Sequence, residues 1–139
     1  MCGIAGIINT NGKVIEKAEV QAMIQRIAHR GPDDQGIYIK ENVGLGHSRL
    51  SIIDLTETGH QPMTNGDASL HIVFNGEIYN YKELKRDLQA QGAQFRSTSD
   101  TEVVLRLYEK EDLECVRKLR GMFAFAIWDE KKKRLFAAR

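Results

Sequence analysis

Residues 121–129 read GMFAFAIWD, and this stretch is apolar at nearly every position from Met122 to Trp128. A strand with one face in solvent alternates apolar and polar residues, whereas a continuous apolar run is typical of a strand buried on both faces. The charged segment after it, DEKKKR at 129–134, leads into the short apolar run LFAA and indicates a hairpin turn. The stretch therefore predicts a strand with other layers of the molecule packed on both of its sides.

The rest of the chain predicts further strands together with three helices, without the regular alternation of βαβ units. Short β-prone runs include residues 3–8 and 70–74, and a helical stripe runs from about residue 16 to 29. Two later helices have capping-box patterns at their starts, one at Asn80 and one at Ser99. The pattern favours two sheets stacked face to face with the helices on the outside.

The composition is that of one globular domain. The chain has 139 residues, of which 42% are hydrophobic and 28% charged, with a formal net charge of +1. That balance gives no reason to expect nucleic acid or a membrane surface as a partner. No apolar run approaches the roughly 18 residues of a membrane helix. Two cysteines cannot form a disulfide framework, so we expect a cytoplasmic protein.

The first residues, MCGIAG, place a cysteine directly after the initiator methionine. Because residue 2 is small, we expect Met1 to be removed, and Gly3 would leave the approach to the Cys2 thiol uncrowded. The α-amine and the thiol of Cys2 would then share one Cα, and a free α-amine titrates at about 7.7–8.0. It could take the thiol proton, which is the N-terminal-nucleophile arrangement. The alternative is that Cys2 has no functional role.

The dipeptide Asn75–Gly76 directly follows a predicted strand. A side-chain amide and an adjacent glycine N–H can together form an oxyanion hole. The alternative is an ordinary Asn-Gly turn, and by the same signal residues 75–80, NGEIYN, are expected to reverse the chain.

Three charged residues suit the two ends of an α-amino acid. The forked guanidinium of Arg49 matches a carboxylate, although a surface ion pair is the alternative. Glu77 and Asp100 could hold an ammonium group, although Asp100 could instead stabilise the N-terminus of the following helix. With an activated thiol and an oxyanion hole, this set predicts acyl transfer from the side-chain amide of an amino acid.

These motifs resemble the N-terminal glutaminase domain of the glutamine-hydrolysing asparagine synthetase family, a class II glutamine amidotransferase domain. The motifs stand in the family's order over essentially the whole chain: MCGIAG (1–6), HRGPDDQG (29–36), GHSRLSIIDL (46–55), NGEIYN (75–80), SDTE (99–102) and GMFAFAIWD (121–129). The resemblance implies an α+β, four-layer αββα sandwich of two stacked antiparallel sheets, the N-terminal-nucleophile hydrolase fold. Hexosamine-forming relatives are disfavoured because Leu50 stands where they typically carry an aromatic residue.

The resemblance also implies roles for matching residues. Cys2 would attack the glutamine side-chain amide, while Asn75 and the Gly76 N–H would stabilise the oxyanion. Arg49 would bind the α-carboxylate, and Glu77 and Asp100 would bind the α-amine. The backbone through Ile52 and Ile53 would line the pocket of L-glutamine.

Full-length members of the family continue into an ATP-dependent synthetase domain, which residues 1–139 do not contain. The sequence lacks both a Walker-type loop and the family's Ser-Gly-Gly pyrophosphate loop. We therefore expect no cofactor in this chain, with ATP and Mg confined to the missing domain. The chain ends at Arg139 inside a predicted strand, which suggests a glutaminase domain truncated at its C-terminus. Unpaired sheet edges would then favour a complementary chain or a homodimer as partner.

Two alternatives remain for the function. The chain could be an inactive or binding-only fragment, or it could supply ammonia to an acceptor other than the one that yields asparagine. His47 and His60 have no metal-ligating partners in the pattern, so no metal site is predicted and both are interpreted as structural or loop histidines. Cys115 is interpreted as inert packing.

Overall fold

The computed structural model describes residues 2–51 and 57–139. Within these residues the strands are β1 (Gly3–Ile8), β2 (Asp34–Lys40), β3 (Val43–Arg49), β4 (Met63–Thr64), β5 (Leu70–Ile78), β6 (Gly121–Asp129) and β7 (Arg134–Ala138). The α-helices are α1 (Lys17–Arg26), α2 (Tyr81–Ala90) and α3 (Asp100–Glu111). Short 3₁₀ segments cover Ala28–Arg30, Glu57–Gly59 and Asp112–Lys118. None of the helices in the described part of the chain is long and apolar enough to cross a membrane.

The first sheet has the strand order β1-β3-β2, and both pairings are antiparallel. Helix α1 packs on one face of this sheet and buries Val20 and Ile24 completely. Strand β3 allows this close approach because it has glycines beneath the helix. A Cβ at Gly46 would lie 2.4 Å from Cδ1 of Ile24, and one at Gly44 would lie 2.5 Å from Cγ2 of Val20. Glycine in a strand interior here marks close packing against another element.

The second sheet has the strand order β4-β5-β6-β7, again with antiparallel pairing throughout. Strands β5 and β6 are paired from Leu70 opposite Asp129 to Ile78 opposite Gly121. Because successive side chains of a strand point to opposite faces, this pair has two different surfaces. The residues on one of these surfaces share a core with α2 and α3: Ile72, Phe74, Phe125 and Ile127.

The opposite surface of the β5–β6 pair faces the first sheet. Val73 and Trp128 form a buried cluster there with Val43 and Leu45 of β3. The elements therefore pack in the order α1, first sheet, second sheet, and α2 with α3. An α+β fold with two antiparallel sheets and three helices, as the sequence indicated, is confirmed.

The prediction that strand 121–129 is covered on both faces holds only for part of its length. Phe125, Ile127 and Trp128 are buried, but Met122 near the start of β6 is 70% exposed. Met122 instead lines the wall of a cleft beside the start of β6.

The prediction that residues 75–80 reverse the chain is wrong for most of that segment. Strand β5 continues to Ile78, and only Tyr79 and Asn80 form a turn before α2. The capping box predicted at Asn80 is also not formed. Its side chain instead donates to the carbonyl of Lys118 and accepts from the N–H of Arg120, at 2.9 and 3.0 Å. A long-range bridge thus takes the place of a local cap.

Candidate active site

A cleft of about 280 Å³ opens where the ends of β3 and β5 meet the start of α3. Its lining includes all the predicted site residues that the structure describes: Cys2, Arg49, Asn75, Gly76, Glu77 and Asp100. The other two, Ile52 and Ile53, lie outside the described residues. The cleft therefore brings together predicted site residues that are up to 98 positions apart in the sequence, from Cys2 to Asp100. Their individual roles stay predictions.

Cys2 stands directly before β1, and the pairing of β1 with β3 places it. Gly3 lies opposite Ser48, so the next position in the same antiparallel register puts Cys2 beside Arg49. The Cys2 Sγ accepts a hydrogen bond from the Leu50 N–H at 3.4 Å and lies 3.6 Å from the Leu50 carbonyl. The Nε of Arg30 donates to the Cys2 carbonyl at 3.1 Å. The thiol is thus held in the cleft wall by backbone and side-chain contacts, and it is half-buried.

Arg49 is the last residue of β3 and is only 8% exposed. It is therefore a buried cation in the cleft wall, and not the surface residue of the alternative interpretation. By strand periodicity it shares a face of β3 with Val43 and Leu45, which is the face toward the second sheet. A buried guanidinium at the edge of a cleft suits a ligand carboxylate, because it offers several donors in a fixed plane.

Asn75 and Gly76 lie inside β5 and pair with β6, opposite Ala124 and Phe123. The alternative of a simple Asn-Gly turn is therefore wrong. Gly76 has φ +150°, and a Cβ there would lie 2.2 Å from the Met122 carbonyl oxygen, so only glycine fits. The Asn75 Oδ1 is buried and has no hydrogen-bond partner among the described residues. Such an atom is expected where a ligand completes the hydrogen bonding.

The free edge of β5 directs a row of backbone amides toward Gln61, the cleft and α3. The Phe74 N–H donates to Oε1 of Gln61 at 2.7 Å, and the Ile78 N–H donates to Oδ2 of Asp100 at 3.0 Å. In an antiparallel strand alternate residues direct their N–H groups to the same side. The Gly76 N–H, midway between these two, is therefore directed away from β6 and toward the cleft that Gly76 lines.

Asp100 begins α3 and is only 4% exposed. Burial raises the pKa of its carboxyl, and nearby Glu77 adds to this, while hydrogen bonds from the backbone N–H groups of Ile78 and Thr101 oppose it. Both interpretations of Asp100 from the sequence are compatible with this position, since it accepts from the first turn of α3 and also faces the cleft. Glu77 is exposed at the rim, so two carboxyl groups lie at this end of the cleft.

The two histidines and the cysteine interpreted as non-catalytic differ in burial: His47 and Cys115 are buried, whereas His60 is exposed. Nε2 of His47 lies 3.0 Å from the Phe74 carbonyl, and burial lowers the pKa of His47 to about 4. Cys115 is fully buried, which raises its pKa to about 11. His60 forms a pair with Asp34, with 2.6 Å between Nδ1 and Oδ2. In the described ranges 2–51 and 57–139, no cluster of three or more His, Cys, Asp or Glu side chains could hold a metal ion.

Sequence reasoning missed several residues that line the cleft: Leu50, Gln61, Phe74, Ser99, Thr101 and Met122. Gln61 is the clearest case. It lies in a polar connection without periodicity, yet its side chain is 6% exposed and bridges β5 to α3. The importance of Gln61 becomes visible only when its buried amide is seen to bond to the edge of β5, and this contact can be recognised only from the folded structure.

Comparison with known proteins identifies the family of the chain. The model of the glutamine amidotransferase domain family matches residues 1–139. Glutamine-hydrolyzing asparagine synthetases 1 and 3 of Bacillus subtilis are 46% and 44% identical to the chain over its whole length. The chain spans only 22% and 23% of those two relatives.

A solved structure supports the fold. The glutamine phosphoribosylpyrophosphate amidotransferase of B. subtilis superposes with a TM-score of 0.76 over 91% of this chain and 35% of that protein. The identity there is 22%, so this likeness concerns the fold alone.

The chain belongs to the glutamine amidotransferase domain family, as a class II domain. Within that class it is similar to the N-terminal part of the asparagine synthetases, so the resemblance seen in its motifs is confirmed.

Proposed function

We propose that this domain hydrolyses the side-chain amide of L-glutamine to glutamate and ammonia, with Cys2 as the nucleophile. The observation that carries the proposal is the single cleft that brings Cys2 together with a buried arginine, two acids and the Asn75–Gly76 pair. We also assign the layered arrangement of helices and sheets to the N-terminal-nucleophile hydrolase fold.

Substrate recognition follows from the charges of the cleft. Arg49 would bind the α-carboxylate at one end, and Asp100 and Glu77 would bind the α-ammonium group at the other. The burial that raises the pKa of Asp100 makes its isolated charge costly. A bound ammonium group offsets that cost, so the site favours a zwitterionic amino acid over an uncharged amide.

The reaction needs a base for the thiol, and after loss of Met1 the α-amine of Cys2 supplies it. The amine takes the thiol proton, and the thiolate attacks the amide carbon. The Gly76 N–H and the Asn75 amide would stabilise the resulting oxyanion. The intermediate collapses to a glutamyl thioester, and ammonia leaves with the proton from the amine. Water, deprotonated by the same amine, then releases glutamate and restores the thiol.

The wider setting is also part of the proposal. Ammonia would pass to an ATP-dependent synthetase domain or a complementary chain, with asparagine as its product, in the cytoplasm. ATP and Mg would be needed only by that second unit. As an alternative assembly, the chain would form a homodimer through its sheet edges. As an alternative to asparagine synthesis, the ammonia would be transferred to a different acceptor.

Glutamate release from glutamine tests the proposal. We expect Cys2→Ala to abolish release, because it removes the nucleophile and leaves the fold intact. The matched control is Cys115→Ala, since Cys115 is fully buried and lies outside the cleft. This control should keep its activity. Release by Cys2→Ala, or no release by the wild-type chain, would contradict the proposal.

A further inference from the structure

The side chain of Gln61 joins the two walls of the cleft. Its Oε1 accepts the Phe74 N–H of β5 at 2.7 Å, and its Nε2 donates to Oγ1 of Thr101 in the first turn of α3 at 3.3 Å. Gln61 is 6% exposed and Thr101 is 2% exposed, so water competes little for either bond. One amide therefore connects the strand that carries Asn75 and Gly76 to the helix that begins with Asp100.

The orientation of this amide is fixed by its partners. A backbone N–H can only donate, so the atom facing Phe74 must be the carbonyl oxygen of Gln61. The amide nitrogen then faces Thr101, whose hydroxyl accepts. The positions of the amide oxygen and nitrogen of Gln61 are therefore both determined. A side chain that lacks the oxygen acceptor or the N–H donor would lose the corresponding hydrogen bond.

Gln61 contacts the edge of β5 just beyond the point where the pairing of β4 with β5 ends. Strand β4 is only Met63–Thr64 and pairs with β5 at His71 and Ile72. Beyond that pairing, the backbone N–H of Phe74 donates to the side chain of Gln61, and the backbone N–H of Ile78 donates to the side chain of Asp100. These two side-chain acceptors flank the N–H of Gly76.

We propose that Gln61 is a positioning residue that sets the place of the Gly76 N–H relative to Asp100. This inference rests on the proposed function, because the Gly76 N–H matters for the rate only if an oxyanion forms beside it. Gln61 holds the backbone two residues before Gly76 and also the residue after Asp100. Together with the bond from the Ile78 N–H to Asp100, it therefore fixes the distance between the oxyanion donor and the amine-binding carboxylate.

The effect of losing this bridge should fall on the chemical step. Gln61→Met keeps the length of the side chain and removes both polar functions. Since a displaced donor loses transition-state stabilisation, we expect kcat for glutamine hydrolysis to fall about 10-fold or more, with KM changed by less than about 3-fold. Alkylation of Cys2 by iodoacetamide forms no oxyanion, so its rate should stay within about 2-fold of wild type.

Asn65 provides a matched control. Its amide also joins β5 to α3, accepting the Leu70 N–H at 3.0 Å and donating to Oε1 of Glu109 at 2.8 Å. It is 5% exposed, much like Gln61, but it lies outside the cleft. Asn65→Leu should therefore cost stability without lowering kcat or the alkylation rate.

The experiment measures kcat, KM and the iodoacetamide rate for wild type, Gln61→Met and Asn65→Leu. A loss of kcat in Gln61→Met alone, with alkylation preserved, supports the inference. Equal losses in both variants, a parallel loss of alkylation, or an unchanged kcat in Gln61→Met would overturn it. If Gln61→Met does not fold, Thr101→Val removes one arm of the bridge and should lower kcat by about 3-fold or more, while Thr101→Ser should restore it.

A second readout separates this inference from the proposed function. In Gln61→Met the Phe74 amide should exchange with solvent faster and the Gly76 amide resonance should shift, whereas Asn65→Leu should leave both unchanged. This can be measured by NMR without any activity. If wild type releases no glutamate, the proposed function fails, and unchanged Phe74 and Gly76 amides in Gln61→Met would overturn the positioning role independently.

Discussion

Oδ2 of Asp100 accepts a hydrogen bond from the backbone N–H of Ile78 at 3.0 Å. This bond ties the first residue of α3 to the last residue of β5, and Ile78 itself is fully buried. The same carboxylate lines the cleft. Asp100 therefore has a structural task, which needs an oxygen acceptor, and a proposed binding task, which needs a negative charge.

These two tasks can be separated by substitution. Asp100→Asn keeps an oxygen for the Ile78 N–H and removes the charge, so we expect the protein to remain folded and KM for glutamine to rise about 10-fold or more. Because burial penalises the charge, its removal should not lower the free energy of unfolding. Steady-state kinetics and urea unfolding measure both quantities.

Asp100→Ala is the companion variant. It leaves the buried Ile78 N–H without its acceptor, which should lower the free energy of unfolding by about 1–3 kcal/mol. If Asp100→Asn were as unstable as Asp100→Ala, the charge rather than the acceptor would hold α3 to β5, and the separation of tasks would be wrong.

Gly76→Ala should be among the most damaging single substitutions in the chain. The added Cβ would meet the Met122 carbonyl oxygen at 2.2 Å, at a φ of +150° that side chains rarely adopt. We expect a loss of about 3 kcal/mol or more in the free energy of unfolding, from combined strain and overlap.

Gly92→Ala is the control for that prediction. Gly92 also has a positive φ, +91°, but a Cβ there meets nothing within 4 Å. Only the backbone strain applies, so the free energy of unfolding should fall by about 1 kcal/mol. Equal losses in thermal or urea unfolding would show that contact with β6 does not restrict position 76.

Stability should depend on pH through His47. Burial lowers its pKa in the folded protein to about 4, below the value of 6.5 that the unfolded chain retains. Between these values the unfolded state binds the proton and the folded state does not, so unfolding is favoured as pH falls. The stability from this residue is complete above pH 6.5 and is lost as pH falls toward about 4.

His47→Gln isolates this contribution, because glutamine can still donate to the Phe74 carbonyl but does not titrate in this range. The difference in free energy of unfolding between wild type and variant should change by about 1–3 kcal/mol between neutral pH and pH 4. Urea unfolding at several pH values measures it. A difference independent of pH would contradict burial of a neutral imidazole.

The sequence predicted those structural elements that are determined by residues close together in the chain. The apolar run at 121–129 is a strand and the charged segment at 129–134 contains its turn at 130–133, since burial and hairpin formation depend on neighbouring residues. Ser99 caps α3 as expected, by accepting the Thr101 N–H at 3.1 Å. The predicted site residues Arg49, Asn75 and Asp100 were marked by motifs, and the fold places them in one cleft.

What the sequence could not predict depends on distant partners. Residues 75–78 have a turn-forming composition, but pairing with β6 and the bond to Asp100 keep them in a strand. Glu102, expected to complete the cap at Ser99, instead accepts from the N–H of Ser97 at 2.7 Å. Gln61 binds residues 13 and 40 positions away, and no local pattern carries that information.

In the proposed mechanism, Cys2 becomes a nucleophile only when its own α-amine is free. Glutamate release should therefore be measured on a chain with a cleavable N-terminal extension, before and after cleavage that leaves Cys2 as the first residue, with intact mass recorded at each stage. We expect no release before cleavage, release afterwards, and none at either stage in Cys2→Ala. Equal release with the extension attached would contradict this mechanism, because the amine would then be locked in a peptide bond.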